Sequence, residues 1–211
     1  MKSVSLSWLS NDGVNWGDRH DIGDPDFWLW RATWHEGNAY IIAKGEHTQL
    51  GSLRLYKSSD GQVFETYVKT IVDNAHPAMK GYRKPSETAL VFMDDGTAYC
   101  LTRVGGAMIG SSRPPYKEWR WKNTGISVGG PNLIKLPCGR LVAGGRFYYP
   151  QRTSLAWVDP DAATLREFLV LPSDGDSSYP GFAWHEEMLW VSYYSSHEGK
   201  SNIYLAKVKI K

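Results

Sequence analysis

The 211-residue sequence predicts an all-β fold, a β-propeller of four-stranded blades. Three observations carry this expectation. Short apolar runs alternate with turns rich in Gly, Asn, Asp and Pro, the pattern of strands joined by tight connections. A seven-residue turn, S-x-D-G-x-x-aromatic, occurs at Ser10–Trp16 and again at Ser58–Phe64, 48 residues on. A hairpin pattern also recurs, with its turns aligned on Gly37, Gly96, Gly139 and Glu187 at steps of 59, 43 and 48 residues. Repeats of about 40–50 residues with four strands each define propeller blades.

The elements follow in order. Residues 3–22 hold two strands around the first S-x-D-G turn, and Met1–Leu6 reads as strand with no signal-peptide hydrophobic region. Residues 31–72 read as a full unit: Arg31–Trp34, Ala39–Ala43, Ser52–Lys57 and Phe64–Thr70. Residues 87–126 and 131–171 give two more full units, and 179–210 the first three strands of a last one. In the turns, Ser10, Asp12, Ser58 and Asp60 satisfy backbone amides, Gly13 and Gly61 take positive φ, and Trp16 and Phe64 pack back underneath. Ala162–Glu167 leads into a strand rather than a helix. The expectation is a single domain over 1–211 with about five blades, either a small ring or a six-bladed ring shortened at its N-terminal side.

Composition narrows the function. Lys+Arg total 24 and Asp+Glu 22, a net charge of +2, which excludes a polyanion binder working by bulk charge. With 42% hydrophobic and 22% charged residues the chain is not disordered. Its apolar runs are far shorter than the roughly 20 residues of a membrane-spanning helix. No nucleic-acid or membrane partner is expected. Ten Trp and twelve Tyr supply core, and also flat rings suited to sugars. Cys100 and Cys138 lie in no metal-ligand spacing and read as small buried hydrophobes. His35, His185 and His197 recur near turns without forming a ligand cluster, so neither metal nor cofactor is expected.

The S-x-D-G turns resemble the Asp box of sialidases. Phe27–His35, Gly129–Ile134, Leu171–Gly181 and Val191–Lys200 resemble a bacterial exo-sialidase-like group of glycoside hydrolases, over essentially the whole chain. That resemblance implies a Tyr nucleophile activated by Glu, an Arg clamp on the substrate carboxylate and an Asp acid/base. A phenol suits such a substrate because it is neutral until its proton leaves, whereas a carboxylate nucleophile is repelled. It also implies an acidic-sugar ligand, and a secreted or periplasmic location if further sequence precedes this chain.

Onto that pattern the sequence maps Tyr179 as nucleophile and Glu87 as base, because both open the first strand of their units. A turn-stacking role is the alternative for Tyr179. Arg103 and Arg146 each follow a hairpin turn by seven residues and are candidates for the clamp, where a guanidinium gives bidentate contacts. Lys44 and Tyr194 occupy the equivalent positions elsewhere. Arg31 is a third candidate, or stacks between Trp30 and Trp34. Asn132 faces the channel at a similar height. Asp24 and Asp26 are the only acid/base candidates, on a loop where such residues more often cap turns. Beside the sialidase-like reading stand a non-catalytic carbohydrate-binding propeller and a glycosidase on a neutral sugar. Open propeller edges allow a homo-oligomer.

Overall fold

The structure is a computed structural model that describes residues 2–45 and 51–210. Among these residues, seventeen strands form five antiparallel sheets. Three sheets have four strands joined in sequence order. They are β3–β6 (Phe27–His35, Asn38–Gly45, Ser52–Ser58, Glu65–Asp73), β7–β10 (Thr88–Phe92, Ala98–Arg103, Ala107–Ser112, Arg120–Asn123) and β11–β14 (Val128–Lys135, Leu141–Phe147, Arg152–Asp159, Thr164–Val170). A fourth has three strands, β15–β17 (Ser177–His185, Met188–Ser195, Asn202–Lys209). The fifth is a ribbon, β1 (Ser5–Ser7) with β2 (His20–Ile22).

The architecture is propeller-like with four blades, and the expectation of about five blades or a shortened six-bladed ring is corrected. The ribbon is not a blade. Its strands are three residues long and pair only with each other. It leans on the first blade, where Ser5 Oγ donates to the Phe27 carbonyl and accepts from Leu29 N, and Asp26 N donates to the Ser3 carbonyl.

Strand alternation builds the core between blades. On β4, Tyr40 and Ile42 face the second blade, whereas Ala39, Ile41 and Ala43 join the cluster with Ile22, Phe27 and Phe64 on the other side. On β12, Leu141 and Ala143 pack toward the second blade and Val142 toward the fourth. The fourth blade buries Leu189, Val191 and Tyr193 on one face, and Ile203 and Leu205 stand exposed on the outermost strand. Cys100 is buried, but Cys138 is exposed in the Leu136–Arg140 turn, contrary to the expectation for both cysteines.

The two S-x-D-G turns close as their chemistry dictates. Ser58 Oγ accepts from Gly61 N at 2.9 Å, and Asp60 Oδ1 accepts from Gln62 N and Val63 N at 2.8 and 3.0 Å. Ser10 and Asp12 repeat the pattern. Phe64 is buried below its turn, but Trp16 is exposed, so only the second turn has its aromatic anchor.

The first strands of the blades, β3, β7, β11 and β15, are innermost. Thr33 Oγ1 donates to the Leu90 carbonyl between the first two blades, and Ser178 Oγ donates to the Gly129 carbonyl between the last two. All four share one irregularity. The ladders skip a residue between Leu29 and Ala32, between Gly129 and Asn132, and between Ser178 and Gly181. In the second blade Ser86 and Glu87 together oppose Arg103, since Ser86 N donates to the Arg103 carbonyl and Arg103 N to the Glu87 carbonyl. Each blade thus carries a bulge, two residues against one, at the head of its inner strand. Bulges re-aim side chains out of the ladder, and these four aim theirs at one place.

Candidate functional site

Trp30 and Arg31, Ser86 and Glu87, Gly130 and Pro131, and Tyr179 and Pro180 are the bulged pairs. Tyr179 Oη donates to Glu87 Oε1 at 2.7 Å across 92 residues of sequence. Arg103 Nη1 donates to both Glu87 oxygens at 3.1 and 3.0 Å, and Gly130 N donates to Oε2 at 2.8 Å. Second, third and fourth blades therefore converge on one carboxylate.

Glu87 is 7% exposed and Tyr179 38%. Burial pushes the Glu87 carboxyl up, but hydrogen bonds from Tyr179, Gly130 and Arg103 outweigh it and hold the group below its ordinary value. Burial comes first for Tyr179 as well, reinforced by the hydrogen bond to Glu87, and the phenol is pushed up to about 12. Burial opposes the charge on Arg103, and Glu87 overrides it and raises the pKa. At neutral pH the site therefore holds a carboxylate, a guanidinium and an intact phenol.

Tyr179 has φ of 50°, in the left-handed region. Its bulge and its neighbours hold it there. Its ring stacks on Tyr194 with centroids 6.0 Å apart and 19° between planes, and meets Trp30 at 5.6 Å. Trp28 meets Trp30 edge-on at 4.6 Å, so an aromatic wall runs from the fourth blade to the first. Gly130, at φ 55°, allows the close approach: a Cβ there would stand 2.8 Å from the Tyr179 ring and collide with Ser178 Oγ.

The other sequence-predicted residues fall around this centre. Arg146 donates from Nη2 to Asp176 Oδ1 at 2.6 Å and to Tyr194 Oη at 3.0 Å, and from Nε to the Ser177 carbonyl at 2.6 Å. Tyr194 Oη in turn donates to Asp176. Arg31 Nη2 and Asn132 Nδ2 both donate to the Pro180 carbonyl, at 3.3 and 2.8 Å. Arg31 does not stack between Trp30 and Trp34. Its Nε is buried without a hydrogen-bond partner, as is Trp30 Nε1, and burial lowers the Arg31 pKa. Arg103 and Arg146 are ion-paired with different carboxylates, Glu87 and Asp176.

Asp24 and Asp26 take structural positions. The Asp24 carboxylate pairs with Arg54 and accepts from Tyr56 Oη at 2.8 Å and Thr66 Oγ1 at 2.7 Å, all on the first blade. Asp26 Oδ1 accepts from Ser3 N at 3.1 Å and tethers the ribbon. Sequence reasoning did not single out Trp30, Gly130 or Asp176 for this cluster, and named Tyr194 only as the strand position equivalent to Arg103 and Arg146. The signal for Gly130 was the pair Gly129-Gly130, and for Asp176 the run Asp174-Gly175-Asp176. Among the described residues no group of three His, Cys, Asp or Glu is placed to hold a metal ion.

Compared by sequence, the chain matches no family model and no curated protein. Compared by fold, it resembles several solved structures. A protein of unknown function from Dyadobacter fermentans DSM 18053 superposes with a TM-score of 0.81 at 16% identity, over 96% of this chain and 63% of its own. A GH43 protein of the Bacteroides ovatus xyloglucan PUL gives 0.61 at 16% identity, over 88% and 38%. The exo-β-1,3-galactanase 1,3Gal43A of Clostridium thermocellum gives 0.63 at 12% identity, over 83% and 47%. The chain thus spans less than two-thirds of each of these structures. At such identities the likeness is one of fold, and it corrects the resemblance to sialidases: the neighbours whose activity is named are glycoside hydrolases, several of them of GH43 type. The S-x-D-G turn misleads because its hydrogen bonds are wholly local, so it belongs to a kind of turn rather than to an active site.

Proposed function

We propose that this chain is a glycoside hydrolase that acts on a neutral sugar, with Tyr179 meeting the substrate and Glu87 acting through it. The observation that carries the reading is the 2.7 Å hydrogen bond from Tyr179 to a buried, ionised Glu87. Glu87 has both oxygens occupied by Arg103, Gly130 and Tyr179, so Tyr179 is its outlet to solvent. As Tyr179 Oη bonds to the anomeric carbon, its proton passes to Glu87 and the glycosidic C–O bond breaks. Water protonates the departing oxygen. The hydroxide left by that water then cleaves the glycosyl–tyrosine, and the proton on Glu87 returns to the phenolate oxygen. In the resting site this transfer runs uphill, from a phenol at about 12 to a carboxylate held low, so it is coupled to formation of the new bond.

Two arguments support a neutral sugar, and a third supports a pyranose ring. Asp176 neutralises Arg146, and Glu87 takes Nη1 of Arg103, which leaves no guanidinium beside Tyr179 with its charge uncompensated except the half-buried Arg31. The fold neighbours include a galactanase and, from Bacillus halodurans, a xylan β-1,4-xylosidase. The aromatic wall of Trp28, Trp30 and Tyr194 suits the C–H faces of a pyranose.

A second reading, a sugar-binding propeller without hydrolysis, is favoured by one observation. Glu87 and Asp24 are both held in the ionised form, so neither serves as a proton donor to the leaving group. Hydrolysis of fluorogenic β-xyloside and β-galactoside by the purified chain separates the two. The hydrolase reading expects turnover that falls at least about 10²-fold in Tyr179→Phe and in Glu87→Gln. A folded wild-type chain that binds xylo- or galacto-oligosaccharides without cleaving them would establish the binding module instead.

A further inference from the structure

A cavity of about 430 Å³ lies beside the Tyr179–Glu87 pair, in the size range of small-ligand sites. Its wall includes Arg83, Lys84, Arg103, Tyr148 and Tyr149, with the hydroxyl-bearing Ser86 and Ser127. Arg103 belongs to both places. Its Nη1 is taken by Glu87, and its Nε and Nη2 carry no hydrogen bond among the described residues. The Arg83 guanidinium likewise has no partner among the described residues, its stem lying against Gly105. No described carboxylate lines the cavity.

The aromatic side is equally specific. Tyr149 is 96% exposed and has φ of 67°. An exposed tyrosine in the left-handed region gains nothing from the core and needs another reason to be there. Tyr148 lies behind it, with ring centroids 6.5 Å apart, and its hydroxyl covers Gly129, next to the Gly130 that holds Glu87.

We infer that this cavity is a subsite for the sugar unit next to the one at Tyr179, and that it takes a unit bearing a carboxylate, a uronate. Two guanidinium groups with free N–H edges match a planar carboxylate, and Tyr149 offers a face to the ring. The substrate class is then a glycan with a neutral terminal sugar on a uronate. The position of this subsite rests on the proposed role of Tyr179, but its charge preference does not.

The test is calorimetric titration of the full chain with methyl β-D-glucuronide, methyl β-D-glucoside and glucose 6-sulfate, in wild type, Arg83→Glu and Tyr179→Phe. The glucuronide is expected to bind at least about tenfold more tightly than the glucoside, the effect of one charge-assisted hydrogen bond. Arg83→Glu, an exposed substitution that leaves the fold intact, is expected to abolish that preference, and Tyr179→Phe to keep it. Equal binding of glucuronide and glucoside, or a preference that survives Arg83→Glu, would overturn the inference. Tighter binding of glucose 6-sulfate would overturn the carboxylate assignment. A chain that keeps the preference but hydrolyses nothing leaves this subsite standing and removes only the hydrolase reading.

Discussion

At the scale of single residues, the site depends on one glycine as much as on its charged groups. Gly130 supplies an N–H to Glu87 and the space into which Tyr179 folds. Gly130→Ala adds a methyl where the ring and Ser178 already stand, at a φ of 55° that L-residues resist. The cost is about 1–3 kcal/mol of stability. The more telling expectation is displacement of Tyr179. Thermal melting checks the first. A sugar-binding or turnover assay checks the second, which fails if Gly130→Ala melts early yet retains full binding and turnover. The positions of Tyr179 and Glu87 at the heads of inner strands were legible in the sequence, because both sit eight or nine residues before an aligned hairpin turn. The bulges were not. One extra residue shifts the two-residue alternation by one position, but at strand heads as uniformly apolar as Phe27–Trp30 that shift is hidden, so the partners of Arg31, Arg146 and Asn132 could not be read from spacing.

At the scale of elements, the inner hairpins show which repeats have the residue their geometry wants. The four aligned turn positions all have positive φ: 72° at Gly37, 78° at Gly96, 81° at Gly139 and 58° at Glu187. Three are glycine, and the last is glutamate in a two-residue turn whose other member, Glu186, is also left-handed at 50°. Glu187→Gly removes a left-handed penalty of about 1 kcal/mol against a smaller entropic loss. The urea midpoint should rise, and a fall would show that the Glu187 side chain has a role in the turn. The hairpin repeat was readable through this substitution because its flanking apolar runs persist. The exposed Trp16 was not foreseeable, since S-x-D-G-x-x-aromatic reads the same whether or not a core lies beneath it.

At the scale of the molecule, an all-β propeller-like fold was legible, because turns and apolar runs repeat at blade length. Blade number was not. Counting strands does not say which strand pairs with which, and the two N-terminal strands pair with each other rather than completing a sheet. The fold also links stability to pH. Glu87 and Asp24 have pKa values below their ordinary range, Glu87 through hydrogen bonds that outweigh its burial and Asp24 chiefly through Thr66. A depressed folded-state pKa stabilises above the unfolded value and loses that contribution as pH falls through the folded one. The melting temperature should therefore hold steady at neutral pH and decline below about pH 4. Glu87→Gln should flatten part of that decline, and an unchanged slope would show that Glu87 titrates normally. The four bulges carry a separate consequence for variation. Their paired residues stand outside the in-and-out alternation that fills the spaces between blades. Exchange at positions 30, 31 and 179, which are not fully buried, would therefore alter ligand preference more than packing, whereas Glu87, Gly130, Pro131 and Pro180 are buried and tie the blades together.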